Sequence, residues 1–73
     1  MNISKSEFED QEQELWLVEQ NELGECDFYR IYPSINTKVH IFSMHYFDEV
    51  NESVLENEII NHVRDEQINN VYH

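Results

Sequence analysis

The chain has 73 residues and a formal net charge of −12, with sixteen acidic residues against four lysines and arginines. This length allows one domain, residues 1–73, with a small core. The net charge argues against direct nucleic-acid binding, because the phosphate backbone repels such a protein. Cys26 is the one cysteine, so no internal disulfide forms, and a reducing cytoplasmic location is expected. The longest apolar run, LWLV at 15–18, is too short for a signal or membrane segment.

The first thirteen residues are mostly polar and predict a short helix over about 5–13. Ser6 followed by Glu9 fits a capping box, and acidic residues in a first turn suit the positive end of a helix dipole. As a strand, the segment would place Phe8 among the carboxylates of residues 10–14, which is a poor buried face.

Three strands are expected next, because aromatic and β-branched residues alternate with turn signals. Their sequences are LWLVEQ from Leu15, CDFYRIY over 26–32 and KVHIFSMHYF over 38–47. The connections NELG and PSINT are short, so the strands should form an antiparallel meander.

A C-terminal amphipathic helix is predicted over 54–67. Leu55, Ile59 and Val63 recur at four-residue spacing, and Ser53 as N-cap with Glu56 forms a second capping box. The expected architecture is α+β: a three-stranded antiparallel β-meander packed on a C-terminal amphipathic α-helix, with a short N-terminal helix.

The last predicted strand is apolar on both faces. Val39 and Ile41 would lie on one face, and Phe42 and Met44 on the other. A single helix covers one face of a sheet, so the second face needs the N-terminal helix, a second copy of the chain or a target protein. We therefore expect a homodimer or a protein complex.

The acidic residues fall in two blocks that flank a neutral-to-basic middle. Nine lie in 7–27 and seven in 48–66, whereas 28–47 has none. Solvated helices and turns explain part of this pattern, but an ordinary small domain has a net charge of only about 2–8. Carboxylates spaced by ~6.6 Å along a strand, or by ~5–6 Å on a helix, approach phosphate separations. The acidic blocks therefore suggest a surface that mimics nucleic acid.

The predicted function is a small acidic inhibitor that binds the basic groove of a nucleic-acid-handling protein: a nuclease, a restriction or CRISPR-type effector, or a polymerase. The absence of alanine and the scarcity of glycine, proline and arginine indicate an AT-rich gene, so a phage protein of counter-defence or host takeover is plausible. The residues expected to contact the partner are Glu7, Glu9, Asp10, Glu12, Glu14, Asp48, Glu49, Glu52, Glu58, Asp65, Trp16 and Tyr46.

Two alternatives stay open: an immunity or antitoxin-like protein, and a structural or regulatory interaction module whose acidity only keeps it soluble. In size and charge the chain resembles, as a class, phage-encoded DNA mimics and small nuclease immunity proteins. No motif carries this likeness, so it implies no residue roles.

No cofactor, metal site or enzymatic activity is predicted. His40 and His45, five positions apart on one strand, should point to opposite faces. No zinc-type or calcium-loop spacing occurs, and neither a glycine-rich phosphate loop nor a nucleophile elbow is present.

Overall fold

A computed structural model describes residues 3–46 and 50–71 as a four-stranded antiparallel sheet and one helix. The strands follow one another in the order β1-β2-β3-β4, so the α+β class and the meander are confirmed. The elements are β1 (Ile3–Glu9), β2 (Leu15–Asn21), β3 (Glu25–Tyr32), β4 (Thr37–His45) and α1 (Glu52–Val71), with a 3-10 turn at Pro33–Ile35 between β3 and β4.

The predicted N-terminal helix is wrong, because the segment is strand β1. β1 pairs along its whole length with β2, and Ser6 lies mid-strand opposite Val18 instead of capping a helix. The prediction failed because it extended the strand through residues 10–14. The chain turns there, so those carboxylates do not share a strand face with Phe8, which packs against the core.

The C-terminal helix is confirmed, but its start and its cap differ from the prediction. Helix α1 begins at Glu52, and the backbone N–H of Val54 donates to the side chain of Asn51 at 3.2 Å. Asn51 therefore serves as N-cap, and the predicted cap Ser53 lies in the first turn. The predicted stripe is correct, since Leu55, Ile59 and Val63 are each no more than 2% exposed.

The core lies between the helix stripe and one face of the central strands. Its sheet side consists of Trp16 and Val18 from β2 and Cys26 and Phe28 from β3, all fully buried. These side chains share a face because they alternate along paired strands, with Val18 directly opposite Phe28. Within residues 3–46 and 50–71 no helix packs on the other face, and we call it the open face.

A β-bulge in β4 changes which side chains share a face. Phe28 pairs with Phe42 and the next residue, Tyr29, pairs with His40, so Ile41 has no cross-strand partner. Beyond such a bulge the alternation of side chains shifts by one residue. His40 and His45 therefore lie on the same open face, and the prediction that they point to opposite faces is wrong.

The side chain of Gln20 in β2 binds the backbone of Val50, two residues before helix α1. Its side chain is 4% exposed, and its amide donates to the carbonyl oxygen of Val50 at 3.1 Å. The backbone N–H of Val50 in turn donates to the side-chain oxygen of Gln20 at 2.8 Å. The Cys26 thiol lies 3.5 Å from that oxygen. This two-point contact holds the backbone just before the helix, and it satisfies polar groups that the core would otherwise leave unpaired.

We expect Gln20→Met to lower the free energy of unfolding by about 2–4 kcal/mol, because it leaves two backbone groups of Val50 without their partner. Urea unfolding followed by tryptophan fluorescence measures this change. Gln11→Met, at an exposed turn position, is the control and should change stability by less than about 0.5 kcal/mol. Equal stability of the two variants would contradict the role given to Gln20.

Candidate partner-binding surfaces

Several carboxylates have no partner among the residues that the structure describes. Their side chains make no hydrogen bond or ion pair with another described residue, and all are exposed. They are Glu7, Glu9, Glu14, Glu52, Glu56 and Asp65. The sequence predicted all of these as partner contacts except Glu56.

Most of these carboxylates lie along the β1 side of the molecule. Glu7 and Glu9 project from the open face of β1. The β1–β2 turn contacts the helix, where the Gln67 amide donates to Glu12 at 3.4 Å. Glu56 lies three turns before Gln67 on the same flank of α1. We define the acidic edge as Glu7, Glu9, Glu12, Glu14 and Glu56.

Asp10 has a structural role that the sequence did not suggest. One of its carboxylate oxygens accepts the indole N–H of Trp16 at 2.7 Å. The other oxygen accepts the backbone N–H groups of Glu12 at 2.8 Å and Glu14 at 3.0 Å. Partial burial acts to raise the pKa of Asp10. The hydrogen bonds from Trp16, Glu14 and Glu12, with the nearby charge of Arg30, outweigh that cost, so the pKa lies below its usual value.

The two predicted aromatic anchors are largely withdrawn from the surface. Trp16 is fully buried between the sheet and the helix, with its ring edge against Phe42 and His62. A partner therefore cannot reach it in this structure. The Tyr46 side chain is partly buried, and its hydroxyl has no hydrogen bond among the described residues. Burial, and next the charge of Glu58, raise the pKa of Tyr46.

The remaining predicted acidic residues of the helix lie apart from the acidic edge. Glu58 and Asp65 line a groove of about 320 Å³ between α1 and β4, together with Phe42, Met44 and His62. Glu52 lies in the first helical turn. The predicted contacts Asp48 and Glu49 lie outside the described residues.

Two of the four lysine and arginine side chains, Arg30 and Lys38, contact other side chains of the described residues. The Arg30 guanidinium lies 4.7 Å from the centre of the Trp16 ring and 3.7 Å from a carboxylate oxygen of Glu66. Lys38 donates to Glu19 at 2.6 Å, and its ammonium lies 4.4 Å from the centre of the Tyr29 ring. The hydrogen bond to Glu19 is the main cause that raises the pKa of Lys38. Neither cation neutralises the acidic edge.

The open face combines an apolar centre with charged and polar side chains around it. Leu15, Leu17, Tyr29 and Ile31 occupy its middle strands and are all partly exposed. Lys5, Glu7 and Glu9 lie on the β1 side, and Lys38 and the two histidines lie on the β4 side.

The sequence predicted an uncovered second face, but it placed the apolar residues of that face on the last strand. The prediction that this strand is apolar on both faces is wrong, because its open face carries Lys38, His40, Ser43 and His45. The alternation of LWLVEQ was the usable signal, because it places Leu15 and Leu17 opposite to Trp16 and Val18.

A chain of hydrogen bonds crosses the open face between β3 and β4. Ser43 donates to Asp27 at 2.7 Å, and the Nε2 atom of His40 lies 2.7 Å from the Ser43 hydroxyl oxygen. The residue types match a hydrolytic triad, but the order does not, since a triad has the carboxylate on the histidine. Here the serine proton is directed to Asp27. The arrangement suits a cross-strand contact better than a nucleophile.

The outward face of the helix is not acidic. Asn57, Asn61, Arg64 and Ile68 follow one another at helical spacing, and each is exposed. Within residues 3–46 and 50–71, no group of three histidine, cysteine or acidic side chains could hold a metal ion. No helix in the same ranges is long and apolar enough to cross a membrane.

Comparisons of the chain with models of protein families, with curated proteins and with solved structures find no match. Functional inference therefore depends on the surfaces themselves.

Asp10→Asn should destabilise the protein by about 1–3 kcal/mol at pH 7, since the amide keeps one acceptor oxygen and puts an N–H donor against either the Trp16 indole N–H or the two backbone N–H groups. A lowered folded-state pKa stabilises the fold above the unfolded pKa of about 3.9, and this stabilisation is lost as the pH falls through the folded value. The stability difference between wild type and variant should therefore shrink below about pH 4. Urea unfolding at several pH values measures it. A difference that stays constant down to pH 2 would contradict the assignment.

Added salt should stabilise the protein, because screening weakens repulsion among carboxylates that lack cations. Like-charge neighbours cost about 0.2–0.5 kcal/mol each, so raising NaCl to about 0.5 M should add on the order of 1 kcal/mol. Thermal unfolding measured by circular dichroism tests this. The variant E14Q/E56Q, with two charges fewer, should gain less from salt; an equal gain would point to effects other than charge screening.

Proposed function

We propose that this protein is a non-enzymatic acidic inhibitor that binds the basic groove of a nucleic-acid-handling protein through its acidic edge. The observation that carries the proposal is the set of exposed, unpaired carboxylates on one side of a domain with a net charge of −12. Nucleases, restriction or CRISPR-type effectors and polymerases present such grooves, and a carboxylate surface can occupy them in place of phosphates.

The spacing of the acidic edge supports mimicry of a phosphate backbone. Glu7 and Glu9 are two residues apart on one strand, which separates them by ~6.6 Å. DNA carries one phosphate per ~3.4 Å of helix axis on each strand, so the two carboxylates span about two phosphate steps measured along the axis. Glu12 and Glu14 continue the series into the exposed turn, and Glu56 adds a carboxylate on the helix flank.

The placement of the basic residues also supports a binding role for the acidic edge. Arg30 and Lys38 are directed toward Trp16 and Glu19, so their charges serve the fold. Arg64 lies on the outward face of the helix. Lys5 lies beside Glu7 on the same face of β1, but it makes no ion pair within the described residues. A surface on which carboxylates outnumber cations attracts a basic partner over long range, and association of this kind is fast and strongly salt-dependent.

Affinity capture from a bacterial lysate, followed by mass spectrometry, tests the proposal. We expect the immobilised protein to retain nucleic-acid-binding proteins, and duplex DNA or about 0.5 M NaCl to release them. Neutralising two carboxylates of the acidic edge in E14Q/E56Q should weaken capture by about thirtyfold or more, since each of the two charge contacts is worth about 1 kcal/mol or more.

The matched control is N57K/N61K, which raises the net charge by the same two units on the outward face of the helix. It should retain most of the binding, because it changes the net charge as much as E14Q/E56Q does but leaves the carboxylates of the acidic edge in place. Equal loss in both variants would show that overall charge, and not the acidic edge, directs binding. Recovery of no nucleic-acid-binding protein would remove the proposal and leave the interaction-module alternative.

A further inference from the structure

We infer that the outer side of β4 at residues 42–45, which we call the β4 edge, binds an extended, basic segment of another protein that adds to the sheet as a further strand. The inference goes beyond the proposed function, because β4 and β1 lie on opposite sides of the sheet. Strand β4 is last in the order β1-β2-β3-β4, and no described strand pairs with its outer side. An unpaired strand edge is a template for a further strand.

The backbone groups that would pair with the added strand belong to Ser43 and His45. The N–H of Tyr46 donates to the carbonyl oxygen of Gly24 at 2.9 Å, so Tyr46 directs its backbone groups toward β3. Neighbouring residues of a strand direct theirs to opposite sides. Met44 therefore also faces β3, whereas Ser43 and His45, both exposed, direct their N–H and carbonyl groups outward. These outward groups can form hydrogen bonds with a further strand.

The first half of β4 and the opposite edge of the sheet are protected against such pairing. Charged side chains and bulges are the usual means by which an edge strand avoids it. The first half of β4 has Lys38 and the bulge at Ile41, and β1 has three charged side chains from Lys5 to Glu9. Residues 42–45 have neither a lysine nor a bulge, and their register with β3 is regular. The β4 edge is therefore the stretch best suited to strand addition.

Two depressions flank the β4 edge, one on each face of the sheet. The helix-side groove is the depression of about 320 Å³ between β4 and α1, and Phe42 lines it. The open-face groove has a volume of about 350 Å³, and Asp27 and His45 line it. Ser43 and Met44 line both grooves, so the two lie along the same stretch of β4. Successive side chains of a strand point to opposite faces, so one added strand would fill the two grooves alternately.

Carboxylates in both grooves favour a basic occupant. Glu58 and Asp65 line the helix-side groove, and Glu25 and Asp27 line the open-face groove. No lysine or arginine of the described residues lines either groove. Lysine or arginine side chains on both faces of an added strand would therefore meet carboxylates on each side. In the helix-side groove, the aliphatic stem of such a side chain would pack against Phe42, which is partly exposed.

The same features disfavour other occupants of the β4 edge. Pairing of two copies of this chain through β4 would bring the carboxylates of their grooves together, and like charges at an interface repel. The net charge of −12 repels nucleic acid. A helix has its own backbone groups paired internally, so it could not use the outward groups of Ser43 and His45. An extended basic segment satisfies both the backbone and the grooves.

Fluorescence anisotropy with a labelled probe peptide tests the inference. The probe repeats the sequence Lys-Lys-Thr-Thr, because threonine favours strands and paired lysines place positive charge on both faces of a strand. We expect saturable binding. The same peptide N-methylated at every residue keeps its charge but donates no backbone hydrogen bonds, so it should bind about tenfold more weakly or worse. Equal binding of the two peptides would show that charge alone attracts them and would overturn the inference.

Ser43→Pro tests the backbone contact. Proline removes an outward N–H, and its ring obstructs an incoming strand, so the unmethylated probe should bind about tenfold more weakly or worse. The fold should tolerate the change, since that N–H takes no part in pairing with β3, and circular dichroism checks this. Ser43→Ala is the matched control: it removes the same hydroxyl, which donates to Asp27, but keeps the N–H, so it should bind at least as tightly as the wild type. Undiminished binding by a folded proline variant would contradict strand addition.

A second pair of variants tests the grooves. E58Q/D65N removes two negative charges from the helix-side groove and should weaken binding of the probe by about tenfold. E14Q/E56Q removes the same number from the acidic edge and should weaken it by less than about threefold, because only long-range attraction changes. Equal losses in the two variants would show that the probe responds to overall charge, and the assignment to the β4 edge would fail.

Amide hydrogen exchange measured by NMR on the wild-type protein gives a readout that needs no variant. The saturating probe should slow exchange of the N–H groups of Ser43 and His45, whereas that of Met44, already paired with β3, should change little. Unchanged exchange at both outward groups would exclude strand addition even if the probe binds. Absence of saturable binding up to about 1 mM protein would also overturn the inference. These outcomes are independent of lysate capture through the acidic edge, so either proposal can fail alone.

Discussion

The hydrogen bond from the Trp16 indole to Asp10 connects the hydrophobic core to the turn between β1 and β2. Trp16 is fully buried at the centre of the core, where it contacts Phe42 of β4 and His62 of the helix. Its one polar atom must find an acceptor, since a buried unpaired N–H costs about 1–3 kcal/mol. Asp10 supplies that acceptor, and its second oxygen closes the turn that starts β2. The pairing of β1 with β2 follows from this turn.

This contact divides the acidic residues of the first block into two roles. Asp10 is committed to the fold, whereas its neighbours Glu9 and Glu14 have no partner among the described residues and face solvent. A similar division applies to the cations, because Arg30 is held over Trp16 and Lys38 over Tyr29. The result is a domain whose acidic edge makes no ion pair with a lysine or arginine of the described residues.

Sequence patterns predicted the central strands and the helix, because each of these elements has a strong period of its own. Leu55, Ile59 and Val63 define the helix stripe, and the runs around Trp16, Phe28 and Phe42 define strands. Strand β1 was missed because Phe8 is the one large apolar side chain on its core-facing side, so the local pattern is weak. Its stability depends on pairing with β2. The bulge at Ile41 was also unpredictable: every residue of the run suits a strand, and only the register with β3 shows the extra residue. The candidate site shares this limit. The sequence identified Glu7, Glu9 and Glu14, but it could not separate them from Asp10 or show that Trp16 is buried.

The sequence by itself determined the α+β fold class, the net charge and the division of that charge into blocks, because these depend on composition and local periodicity. The tertiary structure decided which carboxylates are exposed and unpaired and which, like Asp10, bind other groups of the fold. Residues distant in the chain, such as Glu12 and Gln67 or Gln20 and Val50, meet only after the sheet and helix pack. The face on which each strand side chain lies, and so its exposure, follows from strand register. Register depends on turn geometry and on which apolar faces pack together. The bulge in β4 belongs to the pairing of two strands, so the sequence pattern of β4 alone does not show it.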